Sequence, residues 1–317
     1  MSAPSYGDVT AEYLALRTEA AVVRPGHEIV WVAGPDAVSF LDGLLSQHIA
    51  GMPVGSVSRS FLLDPRGKIA SLLWVLRGTD LVGLVSDPGQ GESLSAALAR
   101  FRFRVDAAIE AGEPMAETWG PESGAALSGI GVDAPPGWAL IEGSLVVALP
   151  LGPLPRFLVA EPIAARLESA GIRKAGTLAS TTVRIEAGEP LTGVDVDEGT
   201  IPQETGLVVS AVSFTKGCYL GQELVARIDS RGRVNRHLRS VKLAENVIPP
   251  VGAVVVSGDL EAGVLTSVGE SLALRAPVGM ALLRREVEPG DRVLVQWAGG
   301  TAQATVEEVP LDDFSAA

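Results

Sequence analysis

Residues 216–223 read Lys-Gly-Cys-Tyr-Leu-Gly-Gln-Glu and contain the only cysteine of the 317-residue chain. Gly217 and Gly221 permit backbone conformations and close approaches that a Cβ atom forbids, which indicates a functional loop. Lys216 adds a positive charge beside the Cys218 thiol, and a nearby cation favours the reactive thiolate. The other interpretation is that Cys218 is a small buried hydrophobic side chain, as free cysteines usually are. The octapeptide alone leaves both interpretations open.

The length of the chain predicts more than one domain, and its composition is that of a globular protein. Hydrophobic residues make up 47% and charged residues 20% of the chain, which excludes the disordered class. No apolar segment reaches the roughly 18 residues that a membrane-spanning helix needs, and the first ten residues lack the basic and apolar parts of a signal peptide. A single cysteine cannot form an internal disulfide, which is typical of a reducing compartment. We therefore expect a cytoplasmic protein without a membrane anchor.

The net charge of −13 argues against a general nucleic-acid-binding protein. One segment departs from this acidic average, because residues 227–242 contain six basic side chains opposed only by Asp229. Such a segment can bind a local anion, for example a carboxylate or phosphate tail, or it can be a solvated basic face. Both interpretations stay open. The basic residues are Arg227, Arg231, Arg233, Arg236, Arg239 and Lys242.

Hydrophobic periodicity predicts an α+β fold for the first part of the chain. The order of the predicted elements is β-α-β-β-β-α-β, which indicates an antiparallel or mixed sheet with helices on one face. The predicted helices cover 10–23, 34 to about 51, and 92–101. The predicted strands cover 28–33, 57–63, 69–76, 81–85 and 103–109.

The second part of the chain predicts a variable connection and then a small all-β module. Residues 112–144 are rich in Gly, Pro and Glu and are predicted to be a connection. Strands over 145–149 and 156–159 and helices over 162–170 and 177–187 are predicted to follow. After Lys242, short Val-rich segments alternate with turn sequences such as Pro-Gly-Asp and Gly-Gly, which is typical of a small β-domain.

A second stretch, together with the octapeptide, gives the chain a resemblance to a known protein family. It runs from Arg184 through Glu186-Ala187-Gly188 to Ile201-Pro202-Gln203-Glu204. In this order and spacing the chain resembles the YgfZ-type folate-binding proteins, which support iron–sulfur cluster assembly and repair. That family is related to the glycine-cleavage T-protein, an aminomethyltransferase. Residues 40–46 and the turn 63–68 are similar to the same family.

The resemblance implies a T-protein-like multi-domain ring with ferredoxin-like α/β layers around a folate pocket. A folate-binding α+β region would cover 1–240, in two interleaved subdomains with a boundary near 112–155, and a small β-barrel would cover 241–317. The implied ligand is tetrahydrofolate or a one-carbon derivative, and the implied transient partners are iron–sulfur enzymes or assembly factors.

The resemblance also assigns site residues. Glu186 would bind the pterin ring, and a carboxylate suits this because the pterin edge presents adjacent N–H donors. The alternative is that Glu186 forms a salt bridge with Arg184 or Arg239. Arg233 and Tyr219 would contact the cofactor, with the basic segment near its anionic glutamate tail. Lys216 and Cys218 would lie on the functional loop.

The sequence departs from the transferase where that enzyme has its essential aspartate. The matching positions here are Ala70, Ser71 and Leu72, and none of these side chains can exchange a proton near pH 7. We therefore expect no aminomethyl transfer. The alternatives are a one-carbon transferase or demethylase that uses another residue, or a non-catalytic scaffold.

The sequence predicts no metal site. One cysteine and three scattered histidines cannot hold an iron–sulfur cluster without a partner. The group Asp195-x-Asp197-Glu198 lacks the spacing of a calcium-binding loop. A solvated turn is therefore expected over these residues.

Overall fold

The computed structural model describes residues 3–311, which are organised around three β-sheets. No helix in this range is both long and apolar enough to cross a membrane. The helices are α1 (Val9–Thr18), α2 (Ala37–Asp42), α3 (Gly91–Ala99), α4 (Ser123–Gly129), α5 (Glu161–Ser169), α6 (Thr177–Glu186), α7 (Val208–Ala211) and α8 (Gln222–Arg231). The strands are β1 (Ala21–Val23), β2 (Glu28–Ala33), β3 (Val57–Leu63), β4 (Ile69–Arg77), β5 (Leu81–Ser86), β6 (Ala108–Ala111), β7 (Met115–Trp119), β8 (Trp138–Ile141), β9 (Ser144–Ala148), β10 (Arg156–Ala160), β11 (Arg173–Lys174), β12 (Arg236–Leu243), β13 (Val254–Ser257), β14 (Leu260–Ser271), β15 (Ala276–Arg284), β16 (Arg292–Trp297) and β17 (Gly300–Glu307).

The first sheet has the strand order β3-β4-β5-β2-β6 and is antiparallel throughout. The predicted strands at 28–33, 57–63, 69–76 and 81–85 are confirmed to within one residue. α2 and α3 cover one face, where Leu41 and Leu98 pack on Leu84. The opposite face carries Ile29 and Val85 and packs against the second sheet.

The second sheet has the order β11-β1-β7-β10-β9-β8. Its pairs are antiparallel except β1 with β11. α4 and α5 cover one face through Leu127, Ile163 and Leu167. The other face contributes Met115 and Leu158 to the core shared with the first sheet. The two sheets thus form stacked α/β layers with helices on the outside.

Two predictions for this region were wrong. The helix predicted over 10–23 ends at Thr18, and Ala21–Val23 instead form the buried strand β1 between β7 and β11. The connection predicted over 112–144 contains β7, α4 and β8. All five residues of β7 are buried, so the strand lacks the alternating pattern that marks a half-exposed strand. It also carries the buried charge of Glu117.

Two predicted elements in the first part are shorter or displaced. The helix predicted from Gly34 to about residue 51 is helical only over Ala37–Asp42. Beyond it the Ser46 side chain accepts a hydrogen bond from the backbone N–H of Phe61, so the chain follows β3 instead of continuing the helix. The strand predicted over 103–109 is β6, at Ala108–Ala111. The loop before it includes Arg104 at a φ of 56°, which a strand does not permit.

The C-terminal part is a closed barrel with the strand order β12-β15-β14-β13-β16-β17, and it confirms the predicted small β-domain. Its first strand begins at Arg236. Val241, Leu265, Leu283 and Val295 fill the interior. The barrel packs against α6, where a Cβ atom at Gly269 would lie 2.4 Å from the Thr182 hydroxyl oxygen. The α+β fold class with a C-terminal barrel is therefore confirmed.

Candidate functional site

The Lys216 side chain is a buried anchor for the loop that carries Cys218. Its Nζ donates to the backbone carbonyl oxygens of Asp42, Leu45 and Gln47 at 2.5, 2.9 and 2.8 Å. An ammonium group has three N–H donors, so the three carbonyls satisfy it completely. Burial lowers the pKa of Lys216, and Asp42 opposes that shift from a carboxylate oxygen 3.4 Å away. The ammonium group therefore fixes the loop to the end of α2 and to the segment that follows it.

The structure leaves Cys218 exposed, which excludes the buried-hydrophobe interpretation. The neighbouring Gly217 is exposed as well, and a Cβ atom there would meet nothing within 4 Å. Gly217 therefore has no steric reason to be glycine. The thiol lies on an open surface of a loop whose preceding lysine is fixed in the protein.

Gly221 and Gly67 bring the two sequence motifs into contact. Both have positive φ, +76° and +77°. A Cβ atom at Gly221 would lie 2.5 Å from the backbone oxygen of Asp64, and one at Gly67 would lie 2.6 Å from Cβ of Leu224. The β3–β4 turn therefore packs directly against the start of α8. Only glycine allows both this approach and these backbone angles.

Tyr219 lies in the core beneath the loop. Its ring packs with Phe61, Ile69 and Val225, and the Lys216 Nζ lies 5.3 Å from the ring centroid. Burial raises the pKa of the Tyr219 hydroxyl to about 12. These contacts give Tyr219 a packing role, and its predicted contact with a cofactor stays a prediction.

Glu186 ends α6 as a buried carboxylate held by α1. The Tyr13 hydroxyl donates to Oε1 at 2.7 Å, and Arg17 Nη1 lies 3.6 Å from Oε2. The alternative partners considered from the sequence are engaged elsewhere, Arg184 with Asp195 and Arg239 with Glu308. Burial and Glu186 raise the pKa of Tyr13. Glu186 is therefore a carboxylate with specific partners in the interior, as a binding residue or a structural one would be.

A groove of about 380 Å³ lies between α1, α6 and the barrel, and Glu186 is not among the residues that line it. Tyr13 lines it and connects it to Glu186. Its walls carry apolar side chains and threonine hydroxyls, which can bind an aromatic ring that also has polar edges. The lining includes Val9, Thr10, Thr177, Leu178, Thr182, Ile248, Val268 and Leu272.

The basic segment is divided by the fold. Arg236 makes a bidentate pair with Glu204, with both N–O distances at 3.0 Å, and Arg239 pairs with Glu308. Arg227 and Arg233 remain exposed on α8 and on the loop after it. The segment is therefore not one continuous basic face. The predicted contact of Arg233 with a cofactor stays a prediction.

The turn at Asp195 and Asp197 is not the solvated turn that the sequence predicted. Asp195 is buried, pairs with Arg184 at 2.6 Å, and accepts hydrogen bonds from Thr266 and Ser267 of the barrel. Asp197 does cap the turn itself, through Thr200 and Gly199. Within residues 3–311 no cluster of three or more acidic, histidine or cysteine side chains could hold a metal ion. Asp195 instead joins α6 to the barrel.

A buried ionic network lies where the two sheets meet, and sequence reasoning missed it. His27 Nδ1 lies 2.6 Å from a Glu117 oxygen, and its Nε2 lies 3.5 Å from Asp87. Burial alone would lower the pKa of His27, but Glu117 and Asp87 outweigh it and raise the pKa to about 9. Asp87 also accepts from the backbone N–H of Thr192 at 2.6 Å. The imidazolium thus joins both sheets to the segment after α6.

The same network continues through Glu189. Arg156 of the second sheet and Arg59 of the first sheet both bind its carboxylate. Burial would raise the pKa of Glu189, but the two arginines outweigh it and lower the pKa to about 2. Arg59 also lies 4.2 Å from the Trp74 ring centroid. The only sequence signal was that Glu189 directly follows the Arg-x-Glu-Ala-Gly element.

Position 71, where the transferase comparison expects a carboxylate, lies in β4 beside the segment after α6. The backbone N–H of Leu72 donates to the Thr192 hydroxyl at 3.1 Å. Ser71 is buried and Ala70 is exposed. The chain therefore presents no acid from these positions.

Comparisons with known proteins agree with the arrangement of the two sheets and the C-terminal barrel. Residues 236–313 match the family described as the glycine cleavage T-protein C-terminal barrel domain. An aminomethyltransferase of Rubrobacter xylanophilus is 27% identical over 92% of this chain and 83% of its own length. The tRNA-modifying protein YgfZ of Edwardsiella ictaluri is 30% identical over 65% of this chain and 66% of its own length.

A solved structure shows the same fold over nearly the whole chain. It is the glycine cleavage system aminomethyltransferase T from Bartonella henselae, with a TM-score of 0.87 and 23% identity. The alignment covers 95% of this chain and 89% of that one. At this level of identity the comparison establishes the architecture of the three parts and not the chemistry.

Proposed function

We propose that this chain, which belongs to the superfamily of the glycine-cleavage T-proteins and the YgfZ proteins, is a cytoplasmic tetrahydrofolate-binding accessory protein for iron–sulfur enzymes. The observation that carries the proposal is the Lys216–Glu223 loop. Its cysteine is exposed, whereas Lys216 before it and Gly221 after it are held by close contacts with other segments. A rigid loop that exposes a single thiol suits a role performed on another protein.

Folate binding is supported by Glu186 together with the groove that its partner Tyr13 lines. A buried carboxylate that holds a tyrosine hydroxyl at the edge of a partly apolar groove fits a flat heterocycle with N–H donors. Tetrahydrofolate bound in this groove would act as a one-carbon carrier. Glu186 and Tyr13 would orient the pterin, and Arg233 would lie nearer the anionic tail.

The thiol half of the proposal rests on Cys218. The exposed sulfur is accessible to a partner protein, and one cysteine cannot bind a cluster without ligands from that partner. Lys216 acts here by position, because its three donors hold the loop to the segment after α2. Cys218 is therefore the group that we assign to the contact with client enzymes.

A folate-dependent transferase or demethylase is the second candidate. The near full-length similarity to an aminomethyltransferase favours it. Ala70, Ser71 and Leu72 oppose it, since proton transfer at the folate nitrogen needs a group that titrates near neutral pH. Production of methylene-tetrahydrofolate from a donor by the purified protein would favour this candidate over the accessory role.

Calorimetric titration with tetrahydrofolate tests the folate half of the proposal. We expect the wild type to bind and Glu186→Gln to lose about tenfold or more in affinity, because the charge-assisted bonds of a carboxylate are worth about 1.5–3 kcal/mol each. Glu12→Gln is the matched control. Glu12 is also a buried carboxylate of the α1–α6 contact, but it binds the start of α6 through the backbone N–H of Gly176.

Equal losses in both variants would show that Glu186 acts only on the packing of α1 and α6. No binding by a folded wild type would remove folate from the proposal. The role assigned to Cys218 would then have to stand without it.

A further inference from the structure

The loop after α3 is an exposed basic and aromatic segment that the site above does not use. Residues 100–104 read Arg-Phe-Arg-Phe-Arg, and Phe103 is 77% and Phe101 40% exposed. Arg104 lies 5.2 Å from the Phe103 ring centroid. Among the described residues, none of the three arginines has a carboxylate within 4.0 Å. Exposed aromatic and arginine side chains together are typical of the energetic centre of a protein interface.

An acidic cleft lies at the other end of the same helix. It has a volume of about 620 Å³ and lies between the start of α3, β2 and the connection from β6 to β7. Ile29 and Met115 line it with buried apolar side chains, and Glu28, Glu92 and Glu113 are exposed around it. The cleft therefore has an apolar interior that suits an aromatic ring and a rim that suits arginine.

The strand register fixes how these two features are arranged. The backbone N–H of Gly91 donates to Glu28 at 2.7 Å, so the first residue of α3 lies beside the first residue of β2. The 100–104 loop leads into β6, whose Ala108 pairs with Ala33 at the end of β2. The cleft and the loop are thus separated by the length of α3, about 13 Å for nine residues.

We infer that α3 mediates a two-fold symmetric dimer in which Phe103 of each copy enters the acidic cleft of the other. A symmetric interface requires a surface that is complementary to itself. Antiparallel packing of two α3 helices places Glu92 of one copy opposite Arg100 of the other, twice. Ser93 and Ala96 on the exposed side of α3 are small enough for the helices to approach closely.

The charge distribution favours a second copy over a nucleic acid. Asp36 and Asp106 lie beside the loop, where Asp36 accepts from the backbone N–H of Asp106. An extended polyanion would meet repulsion from this surface. The compact acidic rim of the cleft needs only the few positive charges that the loop supplies.

Sedimentation equilibrium of the full chain over a concentration series tests the inference. We expect a reversible dimer that Phe103→Ser, Glu92→Lys and Arg100→Glu each weaken by about tenfold or more. A mixture of Glu92→Lys with Arg100→Glu should regain wild-type affinity, because both contacts in the mixed dimer then join opposite charges. Arg292→Glu and Phe214→Ser, which change exposed residues elsewhere, should leave the dimer unchanged.

Three outcomes would overturn the inference. They are a wild type that stays monomeric at every concentration, a dimer that the α3 variants do not weaken, and a mixture that does not recover. Circular dichroism of each variant separates a weaker interface from a misfolded chain. Binding of a single-stranded RNA oligonucleotide by a monomeric wild type, lost in Phe103→Ser, would assign the loop to nucleic acid instead.

Discussion

At the scale of single residues, burial decides what each charged side chain can do. Lys216 lies two residues before Cys218 in the sequence, which predicts that its charge activates the thiol. Its Nζ instead binds three backbone carbonyls with the side chain only 1% exposed. Because all three donors of this ammonium group are engaged, Lys216 acts by holding the loop in place.

Replacing Lys216 by methionine should therefore release the loop. Methionine keeps a similar length and removes the donors, which leaves buried carbonyls without partners, at a cost of about 1–3 kcal/mol. We expect that loss in the free energy of unfolding measured with urea, and faster reaction of Cys218 with a thiol reagent. Arginine should not restore the wild type, because a planar guanidinium cannot replace a compact ammonium here.

Unchanged stability in Lys216→Met would contradict the anchoring role. A thiol that reacts more slowly in this variant, at unchanged stability, would instead support the direct activation that the sequence suggested.

At the scale of elements, the contact between the β3–β4 turn and the start of α8 positions the loop that carries Cys218. Gly67 and Gly221 allow the two backbones to meet, and Asp64 accepts from the backbone N–H groups of Arg66 and Lys68 to shape the turn. The sequence marks both glycines as motif residues. Only the fold reveals that each glycine contacts the segment that carries the other.

The two glycines of the octapeptide give a matched pair of substitutions. Gly221→Ala should cost about 1–3 kcal/mol in the free energy of unfolding, because φ is positive and the new Cβ atom would clash with the Asp64 oxygen. Gly217→Ala should stay within about 0.5 kcal/mol, since that position is open. Urea unfolding of both variants is the measurement, and equal effects in the two would contradict the proposed contact.

Element prediction succeeded where local pattern and packing agree. The strands at 28–33 and 57–63 alternate or run apolar between clear turn sequences, and the structure confirms them. β7 was missed because a strand buried on both faces with Glu117 in its middle looks like polar connection sequence. The helix predicted over 10–23 extended too far because Ala21–Val23 are drawn into a sheet by distant strands, a tertiary effect that local propensity does not contain.

At the scale of the whole molecule, buried charges join parts that lie far apart in sequence. His27, Asp87 and Glu117 link the two sheets, and Glu189 receives an arginine from each. The motif residues of the candidate site were identifiable from the sequence because their order and spacing are specific. The ionic network was not, since its members are single residues scattered between positions 27 and 189.

His27 should make the stability of the protein depend on pH. Its folded pKa of about 9 lies above the unfolded value of about 6.5. The stabilising contribution is therefore fully present below about pH 6.5 and is lost as the pH rises through 9. His27→Gln should remove the decline in unfolding free energy that the wild type shows over this window, and an identical decline in both proteins would argue against a buried imidazolium.

We propose above that the protein acts on iron–sulfur enzymes through Cys218, separately from its folate site. This proposal is tested most directly by the activity of an iron–sulfur enzyme in cells that lack the chain and are supplied with wild type or Cys218→Ala at equal abundance. A cluster-free enzyme in the same cells serves as reference. We predict that the variant binds tetrahydrofolate like the wild type but fails to restore the iron–sulfur enzyme. Full restoration by Cys218→Ala would contradict the proposal.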